Sequence, residues 1–170
     1  RLRALIDDVP HPHGDREIAG LSSDSRLVTD HGLFFALAGS KARGGDFIQD
    51  ALQRGASVIV GEEPAPVGLP SSVLYLQLND ARGALAKAAS RFYPRQPETI
   101  VAVTGTAGKS SVADFTRQIF SQAGYRAASL GTIGITRDDR IEYGALTTPD
   151  PISLHQKLQA LHDEGITHLA

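Results

Sequence analysis

The residues most able to do chemistry follow an apolar run in the middle of the chain. Gly105 and Gly108 are followed directly by Lys109 and Ser110. Glycines let the backbone turn tightly and bring N–H groups close to a polyphosphate, which the N-terminus of a following helix also favours. In loops of this class the lysine reaches the β- and γ-phosphates, and the next hydroxyl binds Mg²⁺. The spacing therefore predicts a phosphate-binding loop.

The sequence on both sides supports this loop. Residues 99–103 form an apolar run, and Val112, Phe115, Ile119 and Phe120 recur at helical spacing after it. The order of strand, loop and helix is the one that a phosphate loop requires. The standard pattern places its first glycine at position 103, where this chain has valine, so the loop has the shorter form G-x-x-G-K-S. The alternative is a glycine-rich turn with an incidental lysine.

A second polar segment, Ser23-Asp24-Ser25-Arg26, precedes an apolar strand pattern at 32–37. Two hydroxyls and an arginine suit the binding of an anion or a sugar. Such a segment is more often a capped turn with a surface ion pair, because Asp and Ser side chains bond to their own backbone. The residues alone leave both interpretations open.

Other polar groups give weaker signals. His155, His162 and His168 are seven and six positions apart, which is not a compact metal-ligand spacing, so we expect solvent-facing or core histidines. Asp138 and Asp139 interrupt an alternating pattern, and we expect them to form a hairpin turn rather than a catalytic pair.

Composition excludes several classes. The chain has 170 residues, 41% of them hydrophobic, and a formal charge of -2, which gives no reason to expect a nucleic-acid surface. The absence of cysteine excludes disulfides and thiolate metal sites. No apolar run has the length of a signal peptide or a membrane span, so we expect a soluble cytoplasmic protein that does not bind a membrane. Because the sequence contains no methionine, we expect that the chain as given does not begin at a natural start.

The first half of the chain alternates strands and helices. Strands are predicted at 32–37, 57–60 and 73–78, and a helix at 47–52. A second helix follows Asn79 or Asp80, either of which can cap it, and its apolar positions recur at helical spacing: Leu85, Ala88, Ala89 and Phe92. Two prolines within residues 93–97 form the best boundary in the chain. We therefore predict one α/β domain at 1–95 and a second at 96–170.

The second half continues the alternation. Core strands are predicted at 99–103, 127–131 and 167–170, with a hairpin at 132–143 and a helix around Leu154, Leu158 and Leu161 that ends before Gly165. Alternating strands and helices predict a parallel α/β sheet. Three core strands would leave that sheet half built, so we expect a fragment of a longer protein.

Three segments in this order resemble the Mur ligase family. They are Asp24-Ser25-Arg26 with residues 32–39, Thr104-Gly105-Thr106-Ala107-Gly108-Lys109-Ser110-Ser111, and Leu146-Thr147-Thr148-Pro149-Asp150. Each segment is weak alone, whereas their order and spacing are specific. Within the family, the resemblance is to the ligases that add meso-diaminopimelate or lysine to UDP-MurNAc-L-Ala-D-Glu, and it covers essentially the whole chain.

The resemblance implies an N-terminal domain that holds the uridine nucleotide, followed by the first part of a central ATPase domain. It places Ser23 and Ser25 against the uridine nucleotide, with Ser40, Lys41 and Ala42 as a second contact stretch. It implies that the substrate's muramoyl peptide touches Thr147 and Thr148. The implied ATP-binding residues are Gly105, Thr106, Ala107, Gly108, Lys109, Ser110 and Ser111, with Lys109 catalytic and Ser110 on Mg²⁺.

Two positions depart from the family pattern. Ala107 and Leu146 each stand where members have asparagine. Because the backbone donors and Lys109 remain, we expect these changes to tune binding rather than abolish it.

The implied reaction is ATP-dependent amide formation through an acyl phosphate, in peptidoglycan precursor synthesis. The family's metal-binding glutamate and histidine, its carbamylated lysine and its amino-acid site would lie beyond Ala170, so the fragment is expected to bind and not to catalyse. Two alternatives remain: another amide ligase of the folylpolyglutamate synthase type, and a non-catalytic nucleotide-binding module. The resemblance favours diaminopimelate over lysine, although no residue here decides it.

Overall fold

A computed structural model describes residues 1–7, 9–39, 44–143 and 149–170. Contacts between Cα atoms divide the chain into two compact units, Arg1–Phe92 and Tyr93–Ala170. The dividing point lies beside the proline-containing segment at 93–97, and each unit has its own sheet.

The first unit contains a four-stranded parallel sheet in the order β1-β2-β3-β4. Its strands and helices are β1 Gly20–Ser22, β2 Gly32–Ala36, β3 Ala56–Gly61, β4 Leu74–Gln77, α1 Ile48–Gln53 and α2 Ala81–Phe92. All of β2 and most of β3 are buried, as expected for parallel strands that are covered on both faces and therefore read as continuous apolar runs.

Helix ends in the first unit follow the sequence signals. Gly55 adopts a φ of 96° just after α1, the left-handed conformation that favours glycine at a helix C-terminus. The Asp80 carboxylate accepts a hydrogen bond of 2.7 Å from the backbone N–H of Gly83, which identifies Asp80 as the cap of α2. The helix predicted from position 47 begins instead at Ile48, after the 3-10 turn Gly44–Phe47.

The second unit has a five-stranded sheet in the order β5-β9-β6-β7-β8. Its elements are β5 Thr99–Ile100, α3 Lys109–Gln122, β6 Ala127–Gly131, β7 Gly134–Thr136, β8 Ile141–Tyr143, α4 Pro151–Asp163 and β9 His168–Leu169. β5, β9 and β6 are parallel, whereas β7 and β8 are antiparallel to their neighbours.

The three predicted core strands are parallel, and the predicted hairpin continues the sheet from the edge of β6 by antiparallel pairing, so the whole sheet is mixed. One expectation for this sheet needs correction. The strand predicted at 99–103 is shorter, because only Thr99 and Ile100 pair with β9. Val101 adds one backbone hydrogen bond of 2.8 Å to Leu169, and residues 101–102 are already exposed.

The core of the second unit lies between the sheet and α4. It consists of the buried residues Ala128, Ile135, Leu158, Leu161, Ile166 and Leu169. Asp150 caps α4 by accepting hydrogen bonds from the backbone N–H groups of Ile152 and Ser153, at 3.0 and 3.1 Å. The apolar positions that predicted α3 behave differently, since Phe115 and Ile119 are 61% and 64% exposed. Within the described ranges, no helix is both long and apolar enough to cross a membrane.

Candidate nucleotide-binding site

The predicted phosphate loop joins β5 to α3. Gly105 has a φ of 151° and Gly108 a φ of 76°, values that residues with a side chain rarely adopt. Gly108 is the N-cap of α3, and its carbonyl accepts the first helical hydrogen bond, 2.9 Å from the N–H of Val112. The two glycines therefore place the loop backbone directly before the N-terminus of a helix of 14 residues.

The donors of the loop are open to an incoming anion. Residues 104–112 are exposed. In the part of the chain that the structure describes, no hydrogen bond occupies the backbone N–H groups of residues 105–108. The Lys109 ammonium donates a 2.7 Å hydrogen bond to the carbonyl of Gly105, so it lies back across the loop. Backbone donors, helix N-terminus and one full positive charge thus occupy one surface.

Ser110 occupies the first turn of α3 beside a second hydroxyl. Its Oγ lies 3.2 Å from Oγ1 of Thr132, which belongs to the two-residue turn between β6 and β7. A cavity of about 280 Å³ opens at this point, lined by both hydroxyls and by apolar side chains of the hairpin, including Ile133 and Ile141. The sequence interpretation assigned Thr132 only to a strand of the hairpin. The signal for its position was a threonine after Gly131, at the carboxyl end of a parallel strand.

Ion pairs fix the hairpin that carries this turn. Arg137 is 7% exposed and bonds Glu164 through two nitrogens, at 2.8 and 2.9 Å. Burial opposes the charged form of Arg137, but its hydrogen bonds with Glu164 and Glu142 outweigh it, so the pKa of Arg137 is raised. Arg140 also contacts Glu164, at 3.0 Å. The hairpin is thereby tied to the C-terminal end of α4.

A second tie joins the hairpin to α3. Arg117 on α3 is buried and forms an ion pair with Asp138, whose carboxylate also accepts a 2.9 Å hydrogen bond from Ser121. Asp138 and Asp139 lie in the turn between β7 and β8, which confirms the predicted hairpin turn. Asp138 contacts Arg117 and Ser121 of α3, whereas Asp139 pairs with its exposed neighbour Arg140.

A Mg²⁺ ion fits the donor set at Ser110. Mg²⁺ prefers oxygen ligands and is commonly held by few protein groups together with phosphate oxygens and water. The exposed Ser110 hydroxyl is one such oxygen, next to the phosphate loop. Over the residues that the structure describes, no group of three or more His, Asp or Glu side chains could hold a metal ion.

The segment around Ser25 is bonded to itself. The Ser22 hydroxyl donates to the carbonyl of Asp24 at 2.6 Å, and the Asp24 carboxylate accepts from the backbone N–H of Arg26 at 3.0 Å. The Arg26 guanidinium pairs with the same carboxylate at 2.6 Å and lowers the pKa of Asp24. These contacts are those of the capped turn with a surface ion pair.

The two serines of this turn differ in access. Ser25 is 5% exposed, and its hydroxyl beside the Asp50 carboxylate, followed by Arg54, lowers the pKa of Asp50. Ser23 is only half-buried, so its hydroxyl is the more accessible.

Five predicted substrate contacts, Ser40, Lys41, Ala42, Thr147 and Thr148, lie outside the described residues, as does Leu146. On either side of the first stretch, Ala38 and Gly44 line a cleft of about 340 Å³ beyond the carboxyl ends of β2 and β3. Such positions are the usual ligand sites of open α/β sheets. The cleft also carries Asp46, Glu62 and Glu63.

The histidines lie in separate environments. His168 stacks on Tyr125, with ring centroids 3.9 Å apart, and its Nδ1 is 2.9 Å from the Thr167 hydroxyl. His162 lies 3.3 Å from Asp163 near the end of α4. Partial burial lowers the pKa of His155.

Comparison with known families agrees with this arrangement. The family model described as "Mur ligase family, catalytic domain" matches residues 17–93, and the model described as "Mur ligase middle domain" matches residues 103–170. The chain belongs to the Mur ligase family. The first match covers the parallel sheet of the first unit, and the second begins just before the phosphate loop.

Individual Mur ligases extend the comparison. The chain is 56% identical over 156 residues to the UDP-N-acetylmuramoyl-L-alanyl-D-glutamate--2,6-diaminopimelate ligase of Rhizobium meliloti, covering 91% of this chain and 31% of the relative. A solved structure of a ligase of the same name is 25% identical, with a TM-score of 0.77 over 95% of this chain and 32% of its own. The chain thus spans about a third of the length of the relatives it matches.

A second similar structure is a MurF ligase from Thermotoga maritima in complex with ADP. It is 23% identical, has a TM-score of 0.51, and covers 79% of this chain and 28% of its own. At this identity the likeness supports the fold.

Proposed function

We propose that this chain supplies the ATP-binding loop and the uridine-nucleotide domain of a ligase that adds meso-diaminopimelate to UDP-MurNAc-L-Ala-D-Glu. The reaction is a step of peptidoglycan precursor synthesis. The observation that carries the proposal is the exposed loop in which Gly108, at a φ of 76°, leads into Lys109 and Ser110 at the start of α3. The names of the relatives, given for diaminopimelate ligases, support diaminopimelate over lysine.

In this proposal the loop binds the triphosphate and stabilises charge as the γ-phosphoryl group moves. A carboxylate of the UDP substrate attacks the γ-phosphorus, the bond to ADP breaks, and the resulting acyl phosphate is attacked by the amine with loss of phosphate. Phosphate oxygens accept hydrogen bonds from the backbone N–H groups of four loop residues, Gly105, Thr106, Ala107 and Gly108. Ser111, in the first turn of α3, completes the proposed ATP-binding residues. Lys109 exchanges its contact with the Gly105 carbonyl for the β- and γ-phosphates.

Ser110 is the proposed metal ligand of this chain. Bound Mg²⁺ would supply charge neutralisation at the phosphates. Ser110 would contribute its hydroxyl oxygen as one ligand, and the hydrogen bond with Thr132 would orient that oxygen.

The first unit is proposed to hold the uridine nucleotide. Ser23 offers the more accessible hydroxyl of the two serines. Ser25 is buried and has a structural role, because its hydroxyl stabilises the charged form of Asp50. Ser40, Lys41 and Ala42 are proposed as the second contact stretch, and Lys41 would meet the diphosphate. Ala38 and Gly44, on either side of this stretch in the sequence, line the cleft of the first unit. Thr147 and Thr148 are proposed to contact the muramoyl peptide.

We place the reaction in the cytoplasm, where ATP and the soluble UDP precursor meet. The match of residues 17–93 to the model described as "Mur ligase family, catalytic domain" favours a Mur ligase over the folylpolyglutamate synthase type. No uridine-binding domain is expected in that second type. A purely regulatory nucleotide module would bind ATP and form no amide.

The ligase reaction is tested in a protein of the relatives' full length that carries these residues. We expect phosphate release that requires ATP, UDP-MurNAc-L-Ala-D-Glu and diaminopimelate together. Lys109→Ala should lower the rate at least tenfold, because a hydrogen bond to a charged group contributes about 1.5 to 3 kcal/mol. The control is Lys157→Ala on α4, which removes a lysine away from the loop. Unchanged turnover in Lys109→Ala, or ATP binding without amide formation in the unsubstituted protein, would contradict the proposal.

A further inference from the structure

The contact between Ser110 and Thr132 joins two parts of the second unit that are 22 positions apart in the chain. Ser110 belongs to the phosphate loop and α3, whereas Thr132 belongs to the turn between β6 and β7. The motif that identifies the loop does not include Thr132. The pairing of these two hydroxyls therefore raises the question of what the second one does.

A hydroxyl that gives a lone pair to a cation directs its proton away from the cation. That proton needs an acceptor, and a threonine oxygen can accept while its own hydrogen points elsewhere. At 3.2 Å the Oγ1 atom of Thr132 is within hydrogen-bond reach of Ser110 Oγ. If Ser110 donates to Thr132, its rotamer is fixed and its lone pairs are directed away from the turn.

The turn that carries Thr132 is held at both ends. β6, before it, pairs with β9 in the sheet and packs against α3. β7, after it, leads into Arg137, which bonds Glu164 through two nitrogens. Thr132 therefore lies between two segments that are each bonded to other elements of the second unit.

The same hairpin is tied to α3 a second time. Arg117 and Ser121 both contact Asp138 in the turn between β7 and β8. The helix is therefore attached to the hairpin at its first turn through Ser110 and again in its C-terminal half. The contacts of Asp138 hold the hairpin beside α3 without depending on the contact between Ser110 and Thr132.

We infer that Thr132 is a positioning residue for metal binding: its hydroxyl accepts a hydrogen bond from the Ser110 hydroxyl and orients the Ser110 oxygen toward the Mg²⁺ that accompanies the nucleotide. This inference rests on the proposed function of the phosphate loop. It predicts that removing the Thr132 hydroxyl weakens nucleotide binding only in the presence of Mg²⁺, because the N–H groups and Lys109 bind phosphate without the metal.

The test measures ADP affinity of this chain by calorimetry, with Mg²⁺ and with excess chelator, for three variants. Thr132→Val keeps the branched shape and removes the hydroxyl, and should weaken Mg·ADP binding about three- to tenfold, the range of one hydrogen bond. Its affinity for metal-free ADP should change less than about twofold. Thr132→Ser restores the hydroxyl and should restore Mg·ADP binding. Thr136→Val is the matched control, since Thr136 lines the same cavity on β7.

The outcomes separate the two claims. Equal losses with and without Mg²⁺ would mean that Thr132 only supports the turn, and unchanged Mg·ADP binding would mean that it has no role; either result overturns the inference. An equal loss in Thr136→Val would overturn it as well. No ADP binding by the unsubstituted chain would contradict the proposed function, and the inference would fall with it.

Discussion

The turn around Ser25 and the phosphate loop use similar residue types for opposite purposes. Both contain hydroxyls and a basic side chain, and both follow or precede a strand. In the turn, the Asp24 carboxylate accepts a hydrogen bond from the backbone N–H of Arg26 and pairs with its guanidinium. The Ser25 hydroxyl lowers the pKa of Asp50. In the loop, residues 105–108 keep their N–H groups open among the described residues.

The difference lies in the groups that surround the hydroxyls and the backbone donors of each segment. Acidic side chains close to hydroxyls satisfy them internally and stabilise a turn. Glycines in left-handed or extended positive-φ conformations direct N–H groups outward, and no carboxylate in the loop competes for them. Substitutions in the turn should therefore change stability, and substitutions in the loop should change nucleotide affinity.

The largest effect is expected from Gly108→Ala. Gly108 has a φ of 76°, and an added Cβ would meet no atom within 4 Å, so the cost is backbone strain alone. Such strain amounts to about 1–2 kcal/mol, and relieving it rotates the N–H groups of the loop. We expect ADP affinity to fall about tenfold, measured by calorimetry. Gly131→Ala is the matched control, since its Cβ also meets open space without a positive φ; an equal loss there would refute the strain argument.

A smaller effect of the opposite kind is expected from Ser25→Ala. The buried hydroxyl stabilises the charged form of Asp50, whose pKa it lowers, and its removal should lower the free energy of unfolding of the first unit by about 1 kcal/mol. Mg·ADP affinity should stay the same. Urea unfolding and calorimetry measure the two quantities, with Ser23→Ala as the half-buried control. Weaker ADP binding in Ser25→Ala, with no loss of stability, would reverse the comparison.

The smallest effect is expected on the pH dependence of stability at acidic pH. The pKa of Asp24 is lowered by Arg26, and the pKa of Asp50 is lowered by Ser25 and then by Arg54. A carboxyl whose pKa is lower in the folded state contributes stability above its unfolded value of about 3.9, and that contribution is lost as the pH falls through the folded pKa. We therefore expect the Tm, measured by thermal unfolding between about pH 6 and pH 3, to fall less steeply below about pH 4 in Ser25→Ala than in the unsubstituted chain. Identical slopes would count against the contact.

Much of the architecture follows from sequence patterns. The apolar runs predicted β2, β3, β4 and β6, helical spacing predicted α2 and α4, and Gly55 and Gly165 marked helix ends with left-handed conformations. These signals are local, since a buried strand or a capped helix needs only its own residues to be recognised. The phosphate loop belongs to the same class, because its function depends on consecutive residues.

What the sequence could not predict depends on pairing. β5 is short because only Thr99 and Ile100 find partners in β9, and the hairpin joins the sheet through the antiparallel pairing of β6 with β7. Neither fact is written in a local pattern. No local pattern predicts the contact of Thr132 with Ser110, because the two residues are 22 positions apart in the chain.

The helical spacing of Phe115 and Ile119 predicted a helix and implied a buried face. α3 is helical, and both side chains are exposed. Periodicity reports which residues share a face of a helix, and burial of that face depends on what packs against it. The apolar stripe was therefore correct evidence for the element and insufficient evidence for its environment.

The most direct test of this account is a heteronuclear NMR titration of the isotopically labelled chain with Mg·ADP. The account predicts that the largest shifts of amide signals occur at residues 105–111 and at Thr132, while those of Ser23 and Ser25 stay in place. Shifts concentrated at the Ser25 turn, or no shifts at the loop under saturating Mg·ADP, would contradict the claim that residues 105–111 form the nucleotide site.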